Sequence, residues 1–130
     1  MTNEQLEKTK VISVYDGWKY YDPNSPANKD RFVPEDWRVY ESASRDGRYF
    51  LPQEMHYHDE IDWIWDVAKK ASEEITISVI ASTKYPDEVE GKAMFLKAEI
   101  NSALICFNIQ KLFNATYEAI LFINEHIQQP

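Results

Sequence analysis

From residue 59 the apolar positions recur with helical spacing. Ile61, Ile64, Trp65, Ala68 and Ala71 stand at i, i+3, i+4, i+7 and i+10, which predicts an amphipathic helix with this set as its buried stripe. Asp59 is expected to cap that helix, with Glu60 and Asp62 in its first turn, where negative charge meets the helix dipole. Trp63 falls off the stripe, among Asp59, Asp62, Asp66 and Lys70, and is expected to face outward, with Asp66 and Lys70 paired at i, i+4. A second helix is predicted over residues 109–127. Asn108 is its cap, and Ile109, Leu112, Phe113, Thr116, Ile120, Ile123 and Ile127 lie along one face. A short opening helix runs from Thr2 to about Tyr15, with sparse apolar contacts at Leu6, Val11 and Ile12 and a stop at Gly17.

Other stretches read as strands. Ile75-Thr-Ile-Ser-Val-Ile80 alternates β-branched and polar residues at its start. Ala93-Met-Phe-Leu-Lys-Ala-Glu-Ile100 and Ala103-Leu-Ile-Cys-Phe-Asn108 predict two more strands, joined by a tight Asn101-Ser102 turn, after a polar loop at Tyr85-Pro-Asp-Glu-Val-Glu-Gly91. No Gly or Pro separates Lys92 from His126, so one long helix fits the spacing as well; β-branched and aromatic enrichment favours strands. Arg38-Val-Tyr-Glu and Tyr49-Phe-Leu flank the tight turn Arg45-Asp-Gly-Arg48 as a hairpin, and Trp18-Lys-Tyr-Tyr21 is a short strand or an aromatic plug. Residues 22–48 form a long irregular loop, rich in turn formers at Asp22-Pro-Asn-Ser-Pro-Ala-Asn28 and pinned by Trp37 and Tyr40. The expected class is therefore α+β: one domain over residues 1–130, with an antiparallel sheet of about three to five strands packed against two main helices.

Composition narrows the function more than the fold. Fourteen Lys and Arg against twenty-two Asp and Glu leave a net charge of −8, which argues against binding a nucleic-acid backbone, since that affinity comes from cationic side chains. The acids alternate with Lys and Arg rather than forming a stripe, so solubility explains them better than mimicry of DNA. No apolar run approaches the roughly 20 residues that span a bilayer, and no charged-then-apolar leader opens the chain. Cys106 is the single cysteine and has no internal partner, so a reducing cytoplasm is the expected compartment, with Cys106 a buried structural thiol.

Candidate chemistry concentrates in His56-Tyr-His-Asp-Glu-Ile-Asp-Trp-Ile-Trp-Asp66. The enzymatic reading makes His56, His58, Asp59 and Asp62, with Glu60 alongside, a divalent-metal site that activates water for hydrolysis. The simpler reading has the two imidazoles orient the helix start by hydrogen bonds while the acids serve capping and the dipole. No Gly-x-Ser-x-Gly elbow and no Gly-rich phosphate loop is present; Gly17, Gly47 and Gly91 stand alone.

Met55-His-Tyr-His-Asp-Glu-Ile-Asp-Trp-Ile-Trp-Asp66 resembles a segment of the form Tyr-His-x-x-Trp-x-Trp-Leu that precedes an amphipathic helix in small, uncharacterised proteins of bacteriophages and of Bacteroidetes genomes. Asn114-Ala-Thr-Tyr-Glu-Ala-Ile-Leu-Phe-Ile123 is similar to the last helix of those proteins, and the two parts with their surroundings span about half of the chain. Residues 22–48 have no counterpart in the family. The resemblance implies a mobile-element origin and no activity, ligand or cofactor. The expected function is a non-catalytic binding or regulatory protein that recognises a protein partner or a second copy through exposed aromatics, with Trp63, Trp37, Tyr40 and Tyr57 as contact residues. A small nucleotide signal is a further ligand class that such an origin would suit, and the metal-dependent hydrolase is the alternative function.

Overall fold

In the computed structural model the described residues are 1–21, 39–42 and 48–127. Their contacts resolve into two compact units, Met1–Met55 and His56–Pro130.

The first unit opens with α1 (Asn3–Tyr15). Thr2 and Gln5 close a reciprocal capping box: the Gln5 amide N–H donates to Thr2 Oγ1 at 3.1 Å, and the Thr2 amide donates to Gln5 Oε1 at 2.9 Å. Of the apolar residues expected to hold α1, Ile12 is buried, beside Thr9, Ser13 and Tyr15. Gly17 takes a left-handed φ of 101° and lets the chain turn so that the Trp18 amide reaches the Ser13 carbonyl at 3.0 Å. Trp18 is buried and meets Phe50 edge-on, with ring centroids 5.4 Å apart. Three short strands, β1 (Lys19–Tyr21), β2 (Val39–Ser42) and β3 (Arg48–Phe50), pair antiparallel in that order, with Tyr20 opposite Tyr40 and Tyr40 opposite Phe50. The expected turn at residues 45–48 lies largely outside the described residues, as do the turn-rich stretch and Trp37.

The second unit contradicts the α+β expectation. All three segments expected to supply strands after residue 74 are helical, and among the described residues from His56 onward there is no strand. The unit is built from α2 (Ile61–Ile75), α3 (Asp87–Cys106) and α4 (Ile109–His126), so the protein's class is helical rather than a sheet backed by two helices. Ile75 ends α2, and residues 76–80 continue directly as a π-helical turn that buries Val79. The β-branched run was misleading because tertiary burial of Ile75 and Val79 outweighs a propensity difference of a few tenths of a kcal/mol per residue.

The largest difference is α3. Ala93, Leu96, Ile100 and Ala103 are its buried line, at i, i+3, i+7 and i+10, and the Asn101-Ser102 pair expected to turn lies inside the helix. Its start was hidden in the supposed polar loop: Pro86 is the N-cap, and Asp87, Glu88 and Glu90 fill a first turn where acids offset the dipole. The helix ends at Phe107, whose φ of 52° and ψ of 34° place a bulky side chain in the left-handed region usually given to glycine. Asn108 then caps α4 by accepting from the Lys111 amide at 3.0 Å. The backbone geometry at Phe107 carries a test. Phe107→Gly is expected to be more stable than Phe107→Ala by about 1 kcal/mol, the reverse of the order inside a helix, because alanine keeps the left-handed strain and glycine relieves it. Urea unfolding of the two variants measures the difference; equal stability would show that the strain is absent.

The core of this unit is drawn from all three helices. Ile64, Val67, Ala68, Ala71 and Ile75 of α2 meet Leu112, Phe113, Ala119, Ile120 and Ile123 of α4, with the α3 line beside them, all buried. Tyr85 ties the loop before α3 to the end of α4, its hydroxyl donating to the His126 carbonyl at 3.1 Å. The buried arc of α2 is rotated from the predicted stripe. Val67 extends it toward Trp63, which is only 8% exposed, while Ile75 continues the predicted line and Ile61 and Trp65 sit at its edge.

Candidate functional site

Residues 56–60 form a turn that delivers the chain into α2, with the Glu60 amide donating to the His56 carbonyl at 2.9 Å. Glu60 is the N-cap by position, with no side-chain cap bond, so the expected cap Asp59 is not one. Its carboxylate is drawn instead to the two imidazoles. Asp59 Oδ1 lies 3.1 Å from His56 Nδ1, and Oδ2 lies 3.6 Å from His58 Nε2. The rings are nearly parallel, 11° between planes and 6.5 Å between centroids. Glu60 Oε1 is a looser neighbour of His56 Nδ1, at 3.9 Å.

This arrangement speaks to the four alternative metal ligands. Asp59 offers a separate oxygen to each histidine, and Asp62 makes no hydrogen bond or ion pair with either ring. Among the described residues, no group of three or more His, Cys, Asp or Glu is placed to hold a metal ion. His56, His58 and Asp59 are thus brought together and Asp62 is not; it lines a cleft on another side of α2, with Ile61, Trp65, Asp66 and Phe107. Within the cluster only His56 and Asp59 stand at hydrogen-bond distance; the His58–Asp59 approach is longer, at 3.6 Å. His58 is mostly buried, with Phe113 edge-on at 6.3 Å and its Nδ1 buried without a partner among the described residues. His56 turns its ring toward Trp63, centroids 5.8 Å apart.

The four expected contact aromatics fall differently. Tyr57 is fully buried and meets Trp63 edge-on at 5.2 Å, so both complete the core where an outward face was expected. Tyr40 stands in β2, and Trp37 lies outside the described residues. Surface contact area comes from residues the sequence did not single out. Ile77, Met94, Phe95, Ile105 and Phe107 are exposed to 73%, 53%, 62%, 79% and 67%. Four of these five belong to α3 or its C-cap, and a helical reading of residues 87–106 would have revealed them as a second apolar line. Cys106, expected to be buried, is exposed on the same helix.

Among the described residues no helix is long and apolar enough to cross a membrane. No family model, no curated protein and no solved structure matches this chain.

Proposed function

We propose that this protein is a non-catalytic binding module of the cytoplasm that docks a partner helix, the simplest being a second copy of itself, along the outer face of α3. The observation that carries the reading is that α3 is apolar on two sides. Its inner line is buried in the three-helix core, while Gly91, Met94, Ala98, Asn101 and Ile105 form an outer line that is exposed at every position. Those five residues follow a 3-4-3-4 spacing, the 3.5-residue period of a helix–helix seam.

Each position suits that use. Gly91 and Ala98 let a second backbone approach closely, Met94 and Ile105 are knobs, and Asn101 is a polar seam residue of the kind that fixes register. Phe95 widens the face on one flank, and on the other Ile77 lines a groove with Lys97 and Asn101. A monomer that leaves this much apolar surface in water forgoes its transfer free energy, which is why such faces mark interaction sites. Because the face belongs to a single helix, an isologous pairing presents it to its own copy without further features.

Sedimentation equilibrium tests this. Wild type is expected to dimerise, and Met94→Glu with Ile105→Glu is expected to weaken association by roughly a hundredfold or more, about 2.7 kcal/mol. Both substitutions are exposed, so the far-UV circular dichroism should not change. A wild-type protein that stays monomeric up to its solubility limit rules out self-association.

A further inference from the structure

The start of α2 and the end of α3 flank an open cleft lined by Ile61, Asp62, Trp65, Asp66 and Phe107. Its wall is a stacked ring pair, Trp65 on Phe107, with centroids 5.6 Å apart and planes 18° from parallel. Its rim carries two exposed carboxylates, Asp62 and Asp66, one helical turn apart on α2. Neither makes an ion pair or a hydrogen bond among the described residues, and the Asp66–Lys70 pair expected from the spacing does not form. Like charges at i, i+4 repel. Asp62 is in the first turn, where the helix dipole offsets its charge, but Asp66 lies a turn further in and has no such compensation.

From this juxtaposition of a stacked aromatic wall with two unpartnered carboxylates, we propose that the cleft binds the guanidinium of an arginine carried by a partner polypeptide. The negative faces of aromatic rings attract a cation, and a flat guanidinium stacks on a ring where a compact ammonium does not. Acids four residues apart on a helix have Cβ atoms about 5–6 Å apart, a separation that the five-donor fork of one guanidinium can address from between them. A neutral side chain would leave the two acids repelling one another, and an anion would add to the repulsion. The net charge of −8 favours the approach of a basic segment. Covering Trp65 would by itself explain the Phe107 ring, but not the two unpaired acids beside it. The cleft stands on the α2 side chains and Phe107, so it is independent of whether α3 pairs with a second copy.

The test uses the full chain and Nα-acetyl-arginine amide as probe. It follows the indole N–H resonance of Trp65 by two-dimensional NMR, with Trp65→Phe to assign the signal. The arginine probe is expected to give a saturable shift. The matching lysine amide should bind about threefold more weakly or less well still, and the uncharged citrulline amide should give no shift over the same range. Asp62→Asn with Asp66→Asn should weaken the arginine probe by roughly tenfold, and Phe107→Ala by about threefold. No shift with arginine, equal shifts with citrulline, or unchanged affinity in the Asn variant would overturn the proposal. Choline binding more tightly than arginine would overturn the guanidinium assignment.

Discussion

Phe113→Ala is expected to lower the unfolding free energy by about 3–5 kcal/mol, a large share of the 5–15 kcal/mol that holds a domain of ordinary stability together. Phe113 is 1% exposed in the first turns of α4, among the buried side chains of the three-helix core, and its ring meets the edge of His58. Removing it deletes the transfer free energy of the ring and leaves a cavity that three helices cannot all close without moving their partners. It also strips one wall from the mostly buried His58 imidazole, so the turn before α2 should loosen together with the core. Phe113→Leu retains most of the volume and should cost less than about 1.5 kcal/mol. Urea unfolding at constant m-value reads both; a loss below about 1 kcal/mol for the alanine variant would remove Phe113 from the core.

Ala98→Pro is expected to cost about 3 kcal/mol or more, although the side chain at that position faces water. Ala98 lies in the middle of α3, where a proline ring deletes one i→i−4 hydrogen bond and collides with the carbonyl of residue 94. The companion substitution Ala98→Val is informative in sign. An exposed helix position loses about half a kcal/mol to a β-branched residue, whereas an exposed strand position gains from one. Both are best measured in the Met94→Glu/Ile105→Glu background, so that any seam on α3 makes no contribution. Stabilisation by valine would return residues 93–100 to the strand their composition suggested.

That expectation went astray for a reason visible in the residues. A helix is legible when one side is apolar and the other polar, as in α4, where Asn108 marks the start and Leu112, Phe113, Thr116, Ile120 and Ile123 mark the buried side. In α3 the outer line of Met94, Phe95 and Ile105 fills the gaps between Leu96, Ile100 and Ala103, and the periodicity disappears. The start signal was still present in Pro86, Asp87, Glu88 and Glu90, a proline at the helix boundary followed by acids that offset the dipole in the first turn. At the candidate site the structure brings His56, His58 and Asp59 together, sets Asp62 apart from them, and buries Tyr57 and Trp63. The same set of apolar residues supports two overlapping arcs of α2, one ending at Trp65 and one at Trp63; Ile75 is common to both, and burial of Val67 marks the second.

What the chain determines locally is its capping and its charge: the Thr2–Gln5 box, the Asn108 cap, the dipole-facing acids and the net −8 follow from neighbours in sequence and need no tertiary partner. Which face of a helix is buried, and whether an apolar run becomes strand or helix, are decided by contacts between residues far apart in the chain, because burial free energy exceeds local propensity several-fold. Thus Trp63 and Tyr57 joined the core edge-on to one another, Trp65 was left to stack on Phe107, and an outer apolar line on α3 remained exposed.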